Sequence, residues 1–198
     1  MTASAMRLIV TEARPACWRA AISTPPIPLH DPEMLAELRL PADGIDSDPK
    51  LKVVVFDSSD PAFPGAHHDV ARGREMPDGP DAAPFPEWPN IGTGLARSRV
   101  VAVAEAGARG HGRACALVCD IRCANRERAV FGQFEGAPGV VPGSGATDWL
   151  SRSARGSRAI DIQAGADDFD ADTTERYGRV KRASPDSERN LPECRTLL

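Results

Sequence analysis

The chain has 198 residues, a formal net charge of -4 and a hydrophobic share of 41%, which is enough apolar sequence for one domain with a core. The acidic balance, without a basic stripe interleaved with aromatic residues, argues against a nucleic-acid partner. Apolar runs stay well below the roughly 20 residues of a membrane span, and no signal peptide pattern opens the chain. Five cysteines without framework spacing are typical of a reducing compartment. We therefore expect a cytoplasmic protein.

Three segments near the start have strand character. Leu8–Thr11 and Trp18–Ile22 predict two short strands, and the three prolines within Thr24–Pro28 predict a turn. Leu51–Phe56 is almost entirely apolar and β-branched. This run predicts a strand buried on both faces, as in a parallel sheet.

One helix is predicted between these strands. Asp31 followed by Pro32 is typical of a helix start in which Asp31 is the N-cap. The pattern predicts that Pro41 ends this helix early and that Gly44–Pro49 form a loop. His30, beside the cap, is interpreted as a surface residue.

The central segment carries the strongest functional pattern. A strand over Val100–Glu105 runs into a turn, an apolar helix covers Cys115–Cys119, and a second strand delivers Phe131–Glu135. The turn contains three glycines: Gly107, Gly110 and Gly112. Glycines let a ligand approach the backbone, and a helix start offers unpaired N–H groups to an anion or oxyanion. With Glu135 as the one carboxylate of its apolar run, this pairing suits enolate chemistry.

The later sequence predicts mainly helices. Pro142–Thr147 form a turn, which leads into helices over Asp148–Ser153 and Ser157–Gln163. A short helix covers Phe169–Tyr177, and Gly178 follows it in a C-cap position.

Three further segments complete the expected organisation. Arg179–Ala183 predicts a last strand, and residues 184–198 predict a loose tail. Arg72–Ser98 is rich in Pro, Gly and Asp and predicts a mobile surface segment that can close over a ligand. Strands that alternate with helices at this spacing predict the α/β class.

Five motifs, in this order, resemble those of one known family. They are Pro25-Pro26-Ile27-Pro28-Leu29; Ala62-Phe63-Pro64-Gly65-Ala66-His67-His68-Asp69; Gly110-His111-Gly112-Arg113-Ala114 with Cys119-Asp120; Phe131-Gly132-Gln133-Phe134-Glu135; and Pro142-Gly143-Ser144-Gly145-Ala146-Thr147. Their order and content resemble the enoyl-CoA hydratase/isomerase, or crotonase, superfamily. The resemblance covers roughly residues 18–183.

The resemblance implies a fold. It implies a spiral of ββα repeats with two roughly perpendicular sheets and helices outside, formed by residues 1–183. It also implies that the C-terminal helices of the family are reduced or absent here, which would weaken a trimer-based homo-oligomer.

The resemblance also implies roles for particular positions. The backbone N–H groups of His68 and His111 would form the oxyanion hole for a thioester carbonyl. Glu135 would be one of the two catalytic glutamates, and Ala114 stands where the second is expected. The resemblance places three further backbone positions against the thioester: Ala66, Gly110 and Gly112.

Two functional hypotheses follow from the resemblance. In the first, the chain binds an acyl-CoA thioester and stabilises its enolate, as an isomerase or a weak hydratase. In the second, it is a catalytically impaired relative that binds CoA thioesters or another protein. The thioester is the substrate in either case, and we expect no separate cofactor.

Several other clusters have less specific interpretations. His67, His68 and His111 with Cys115 or Cys119 are ligand types for a metal, but their spacing is not that of a metal motif, and we predict no metal site. Cys115 and Cys119 are interpreted as small core residues. The charged cluster Arg126-Glu127-Arg128 is interpreted as a solvated face. The acidic cluster is interpreted as helix caps and turns; it consists of Asp167, Asp168, Asp170 and Asp172.

Overall fold

The computed structural model describes residues 7–23, 29–58, 69–75, 92, 95, 101–105, 110–142 and 145–185. The strands are β1 (Leu8–Arg14), β2 (Cys17–Ile22), β3 (Val53–Ser58), β4 (Val101–Glu105), β5 (Ile121–Asn125), β6 (Val130–Gly132), β7 (Asp168–Asp170) and β8 (Arg182–Ser184). The helices are α1 (Pro32–Ser47), α2 (Gly110–Val118), α3 (Ala146–Ala154), α4 (Gly156–Gly165) and α5 (Ala171–Arg176), with 3-10 helices at Val70–Glu75 and Phe134–Gly136. The predicted turn at 24–28, most of the predicted mobile segment and the tail beyond 185 lie outside the described residues.

Six strands form one sheet in the order β1-β2-β3-β4-β5-β8, and β6 pairs with β7 in a separate antiparallel ribbon. β1 is antiparallel to β2, whereas the other neighbours in the large sheet are parallel. Parallel neighbours need long crossover connections, and helices α1 and α2 lie in two of them. The predicted α/β class is confirmed.

β3 is the central strand that the sequence predicted most clearly. Val53, Val54 and Val55 are all buried, and β3 pairs in parallel with both β2 and β4. Val54 packs in the main core with the helices, while Val53 and Val55 join a smaller cluster that includes Cys123. Alternate side chains therefore pack on opposite faces, as expected for a strand buried on both sides.

Helix α1 begins as predicted but continues past Pro41. The Asp31 carboxylate accepts a hydrogen bond from the Met34 N–H at 2.8 Å, which confirms the N-cap. The predicted end at Pro41 and the loop over Gly44–Pro49 are wrong, because the helix runs to Ser47. An interior proline costs about 3 kcal/mol. Burial of Ile45 in the continued part of the helix, at about 1.5–3 kcal/mol, offsets that cost.

The central segment differs from the prediction in its boundaries. α2 starts at Gly110, so Gly110 and Gly112 are helical rather than part of a turn. β6 ends at Gly132, and Glu135 lies on the following 3-10 helix instead of on a strand. β5 was not predicted, because Ile-Arg-Cys-Ala-Asn shows no clear alternation of apolar and polar residues.

The last elements are shifted relative to the prediction. Phe169 and Asp170 belong to β7, and α5 begins only at Ala171. Asp170 caps α5 by accepting a hydrogen bond from the Thr173 N–H at 2.7 Å, as its interpretation as a capping residue required. Gly178 follows with φ +75°, which confirms the predicted position after the helix. The final strand, β8, begins at Arg182 rather than at residue 179.

Candidate active site

Glu135 lies half-buried on the 3-10 helix that follows β6. Its carboxylate Oε2 accepts a hydrogen bond from Nε2 of Gln133 at 2.7 Å. Gln133 is 0% exposed, and its Oε1 has no hydrogen-bond partner among the described residues. A buried amide therefore orients the carboxylate, and an acceptor oxygen stays available beside it.

The backbone around Glu135 is tightly held. The Val140 N–H donates to the Glu135 carbonyl oxygen at 2.9 Å, which closes the turn. Gly136 lies so close to the Gln163 carbonyl of α4 that an added Cβ would collide with it. Gly132, at the end of β6, is similarly confined by the Asp168 carboxylate. The turn that carries the candidate acid is thus fixed from both sides.

Helix α2 contacts β6, so the structure brings together two of the predicted site elements. Gly110 is the first residue of α2 and His111 the second, and backbone N–H groups in a first helical turn have no acceptor within the helix. The His111 amide is therefore suited to an external oxygen. Gly112 is buried, and Ala114 lies in the second turn without a carboxylate to offer.

The other predicted oxyanion position, His68, and the predicted contact Ala66 lie outside the described residues. The chain directly after them is anchored on the N-terminus of α1. The Asp69 N–H donates to the His30 carbonyl oxygen at 3.1 Å. His30 itself is 0% exposed, so its prediction as a surface residue is wrong. Its neighbour Asp31 caps α1 and its own carbonyl binds the Asp69 N–H, so His30 lies at a packed junction.

A network of paired charges strengthens this anchor, and we call it the α1 clasp: Arg7, Asp31, Glu33, Arg72 and Glu75. Arg72 donates to both carboxylate oxygens of Glu33 at 2.7 and 2.8 Å and to Glu75 at 2.7 Å. These bonds hold the pKa of Glu33 at about 2, below its ordinary value of 4.5, and raise the pKa of Arg72. Arg7 donates to Asp31 at 2.9 Å. The beginning of the predicted mobile segment is consequently an ordered 3-10 helix.

The cysteines near the site are not arranged for nucleophilic chemistry. Cys115 Sγ lies 3.7 Å from His30 Nδ1, but burial raises the pKa of this thiol well above its usual value. Burial also raises the pKa of Cys119 to about 12. Cys119 is buried, as predicted, while Cys115 is half-buried. Across the described ranges, no three His, Cys, Asp or Glu side chains are grouped as metal ligands.

The surface beside Glu135 is apolar. Phe134 is 55% exposed, and Val140 and Val141 are 56% and 79% exposed. Exposed large apolar side chains on one short segment are typical of a contact surface. By contrast, Arg126, Glu127 and Arg128 are all exposed, which confirms their interpretation as a solvated face.

Gln133 is the functional candidate that the sequence analysis missed. The available signal was its position two residues before Glu135, at the end of an apolar strand. A buried amide at that point needs a partner, and the nearest polar side chain in the sequence is the carboxylate.

No helix among the described residues is long and apolar enough to cross a membrane.

Comparisons with known proteins agree on one family. The profile of the Enoyl-CoA hydratase/isomerase family matches residues 29–195. A Rhizobium meliloti protein named a probable enoyl-CoA hydratase is 32% identical over 155 residues, which cover 77% of this chain and 59% of that protein. The chain thus spans less than two thirds of the length of this curated relative.

Solved structures resemble the chain over nearly its full length. The structure of Pseudomonas aeruginosa DspI has a TM-score of 0.81 at 27% identity and covers 96% of this chain and 72% of its own. An enoyl-CoA hydratase from Bacillus anthracis has a TM-score of 0.83 at 20% identity and covers 95% of this chain and 74% of its own. At 20% identity, the second likeness concerns the fold alone.

Proposed function

Because the chain belongs to the enoyl-CoA hydratase/isomerase family and has the crotonase fold, we propose that it binds an acyl-CoA thioester and stabilises the derived enolate. The proposed activity is that of a double-bond isomerase or a weak hydratase. The observation that carries this proposal is the fixed carboxylate of Glu135, which accepts a hydrogen bond from the buried Gln133.

The proposed chemistry moves one proton with one base. The Glu135 carboxylate removes a proton from the α-carbon of a 3-enoyl thioester, and the electron pair moves onto the carbonyl oxygen as a dienolate. The N–H groups of His68 and His111 stabilise that oxygen. The protonated Glu135 then returns the proton to the γ-carbon, which leaves a 2-enoyl thioester. The carbon–carbon double bond therefore moves by one position along the acyl chain, and neither water nor a redox partner is consumed.

Ala114 favours isomerisation over hydration. Addition of water needs one group to activate the water and another to supply a proton to carbon. The resemblance assigns the second of these groups to position 114, where a methyl group cannot transfer a proton. The same residue supports the second candidate function, in which the chain binds the thioester or a homologous subunit without turnover.

Paired assays of the wild type and the Ala114→Glu variant test the proposal. We expect isomerisation of a 3-enoyl-CoA by the wild type, with little hydration of a 2-enoyl-CoA. Ala114→Glu should increase hydration, because the second carboxylate is restored in an otherwise competent site. Ala36→Glu on the exposed surface of α1 is the matched control and should change neither rate. Absence of isomerisation in the wild type and of hydration in Ala114→Glu would contradict the enzymatic proposal.

Assembly into trimer-based homo-oligomers belongs to the same proposal. Light scattering of the purified chain measures it directly, and a monomer at all concentrations would contradict this part alone.

A further inference from the structure

Three arginines lie near the C-terminal end of α2 and the adjoining helix α3. Arg122, Arg152 and Arg179 have no carboxylate within ion-pair distance in the part of the chain that the structure describes. Arg72 and Arg126, by comparison, pair with carboxylates at 2.7 and 2.9 Å. Arg179 is buried and Arg122 is half-buried, whereas Arg152 is exposed. Buried charges in proteins are normally paired, so the first two call for a counter-ion.

Arg122 is held rigidly by backbone carbonyls. Its Nε donates to the Arg179 carbonyl oxygen and its Nη1 to the Cys119 carbonyl oxygen, both at 2.6 Å. These bonds cap the end of α2 and fix the plane of the guanidinium. A guanidinium has five N–H donors, so three of them remain for another acceptor. Burial lowers the pKa of Arg122, and nearby acidic groups, Asp120 among them, only partly oppose that shift.

Arg179 adds a second positive charge behind the first. It is 2% exposed and lies against the rings of Phe131 and Phe169, at 5.6 and 5.9 Å from their centroids. Its Nε and Nη1 have no hydrogen-bond acceptor among the described residues. Burial and the nearby charge of Arg122 lower its pKa to about 10. The two guanidiniums therefore repel each other and increase the positive potential around Arg122.

An open surface cleft lies beside Arg122. It has a volume of about 260 Å³ and lies between the end of α2 and helix α3. Arg122 and Arg152 line it, and the Arg152 guanidinium lies 5.2 Å from the centroid of Trp149. Asp120, which is exposed, is the one carboxylate among the lining residues, so the two arginines leave the cleft with a net positive charge.

We propose that this cleft binds a phosphate-type oxyanion, held between the guanidiniums of Arg122 and Arg152. A planar guanidinium fork matches two oxygens of a phosphate group. The volume leaves room for part of the organic group of a phosphate ester beside Trp149. The site uses none of the residues proposed for enolate chemistry and stands independently of the proposed function.

Calorimetric titration with inorganic phosphate, at constant ionic strength set with sodium chloride, tests the site. We expect saturable binding to the wild type, with quenching of Trp149 fluorescence. Arg152→Gln should weaken the phosphate Kd about tenfold, because one charged donor is lost. Arg158→Gln is the matched control, because Arg158 is also exposed and stacked on an aromatic ring, 4.8 Å from the Tyr177 centroid, but it lies outside the cleft. This control should bind phosphate as the wild type does.

Three outcomes would overturn the proposal. The first is no saturable binding of phosphate to the folded wild type, and the second is an equal Kd for the wild type and Arg152→Gln. The third is competition between free CoA and phosphate, because it would assign the cleft to the CoA group instead of to a separate ligand. Trp149→Phe, which removes the reporter but keeps both arginines, should retain calorimetric binding and lose the fluorescence change.

Discussion

The α1 clasp and the region around β6 and β7 differ in whether their buried and half-buried polar groups are paired. In the α1 clasp, Arg72 pairs with two carboxylates, and Arg7 pairs with Asp31. Around β6 and β7, Arg179 is buried without a carboxylate partner in the described ranges, and Gln133 has an acceptor without a partner there. Charges satisfied within the chain stabilise the fold, whereas Gln133 has an unused acceptor beside the candidate acid and Arg179 has an unpaired charge beside the proposed anion cleft.

The largest expected effect is on catalysis by the β6–β7 region. Glu135→Gln keeps the shape of the side chain but removes the base, so kcat for isomerisation of a 3-enoyl-CoA should fall by about 10²–10⁴-fold. The thioester should still bind, because the oxyanion donors are unchanged. Steady-state kinetics and a thermal melt of the same sample measure both properties. An unchanged kcat would remove Glu135 from the mechanism.

A smaller effect is expected on stability when the buried charge is removed. Arg179→Met should raise the free energy of unfolding by about 1–3 kcal/mol in phosphate-free buffer, because an unpaired buried cation is replaced by an apolar side chain. Arg158→Met, at an exposed position, should change it by no more than about 0.5 kcal/mol. Chemical denaturation measures both variants. A less stable Arg179→Met would show that the two phenylalanine rings compensate the charge.

Removal of a charge from the α1 clasp should lower the stability of the fold instead of raising it. Asp31→Ala removes the N-cap of α1 and the partner of Arg7, and it should lower the free energy of unfolding by about 1–2 kcal/mol. Asp170→Ala removes the cap of the short, exposed α5 and should cost less. If both substitutions lowered the free energy of unfolding equally, burial of the Asp31 cap would add nothing to its stabilising effect.

The smallest effect concerns acid stability. The pKa of Glu33 is lowered to about 2, so its pairing with Arg72 stabilises the fold above pH 4.5, and this contribution is lost as the pH falls from 4.5 towards 2. Arg72→Met should therefore have a slightly lower Tm than the wild type at pH 7, and the two curves should converge near pH 2. The difference is small because the pair is partly exposed and screened by salt. Arg74→Met should follow the wild type at every pH.

The sequence predicted the elements that have strong local signals. Val53 to Val55 predicted a central parallel strand because a continuous β-branched run is typical of a strand that is buried on both faces. Asp31-Pro32 predicted a helix start because capping is a local interaction. Both predictions are confirmed. The continuation of α1 through Pro41 could not be predicted, since it depends on burial of Ile45 against distant elements.

The candidate site was predicted only in part. The order of the motifs singled out Glu135 as the candidate acid, but its hydrogen bond from Gln133 depends on the turn that the chain makes after β6. The burial of Arg179 could not be predicted either, because an arginine in a polar stretch is normally exposed. Its surroundings come from Phe131 and Phe169, which are brought together by the pairing of β6 with β7.

The most direct test of the account is calorimetric titration of the purified chain with an enoyl-CoA, with free CoA as the control. We predict that the thioester binds more tightly than CoA in the wild type, because the oxyanion donors act only on the thioester carbonyl. Equal affinity for the two ligands, or binding of neither, would contradict the claim that this family member keeps a working thioester site.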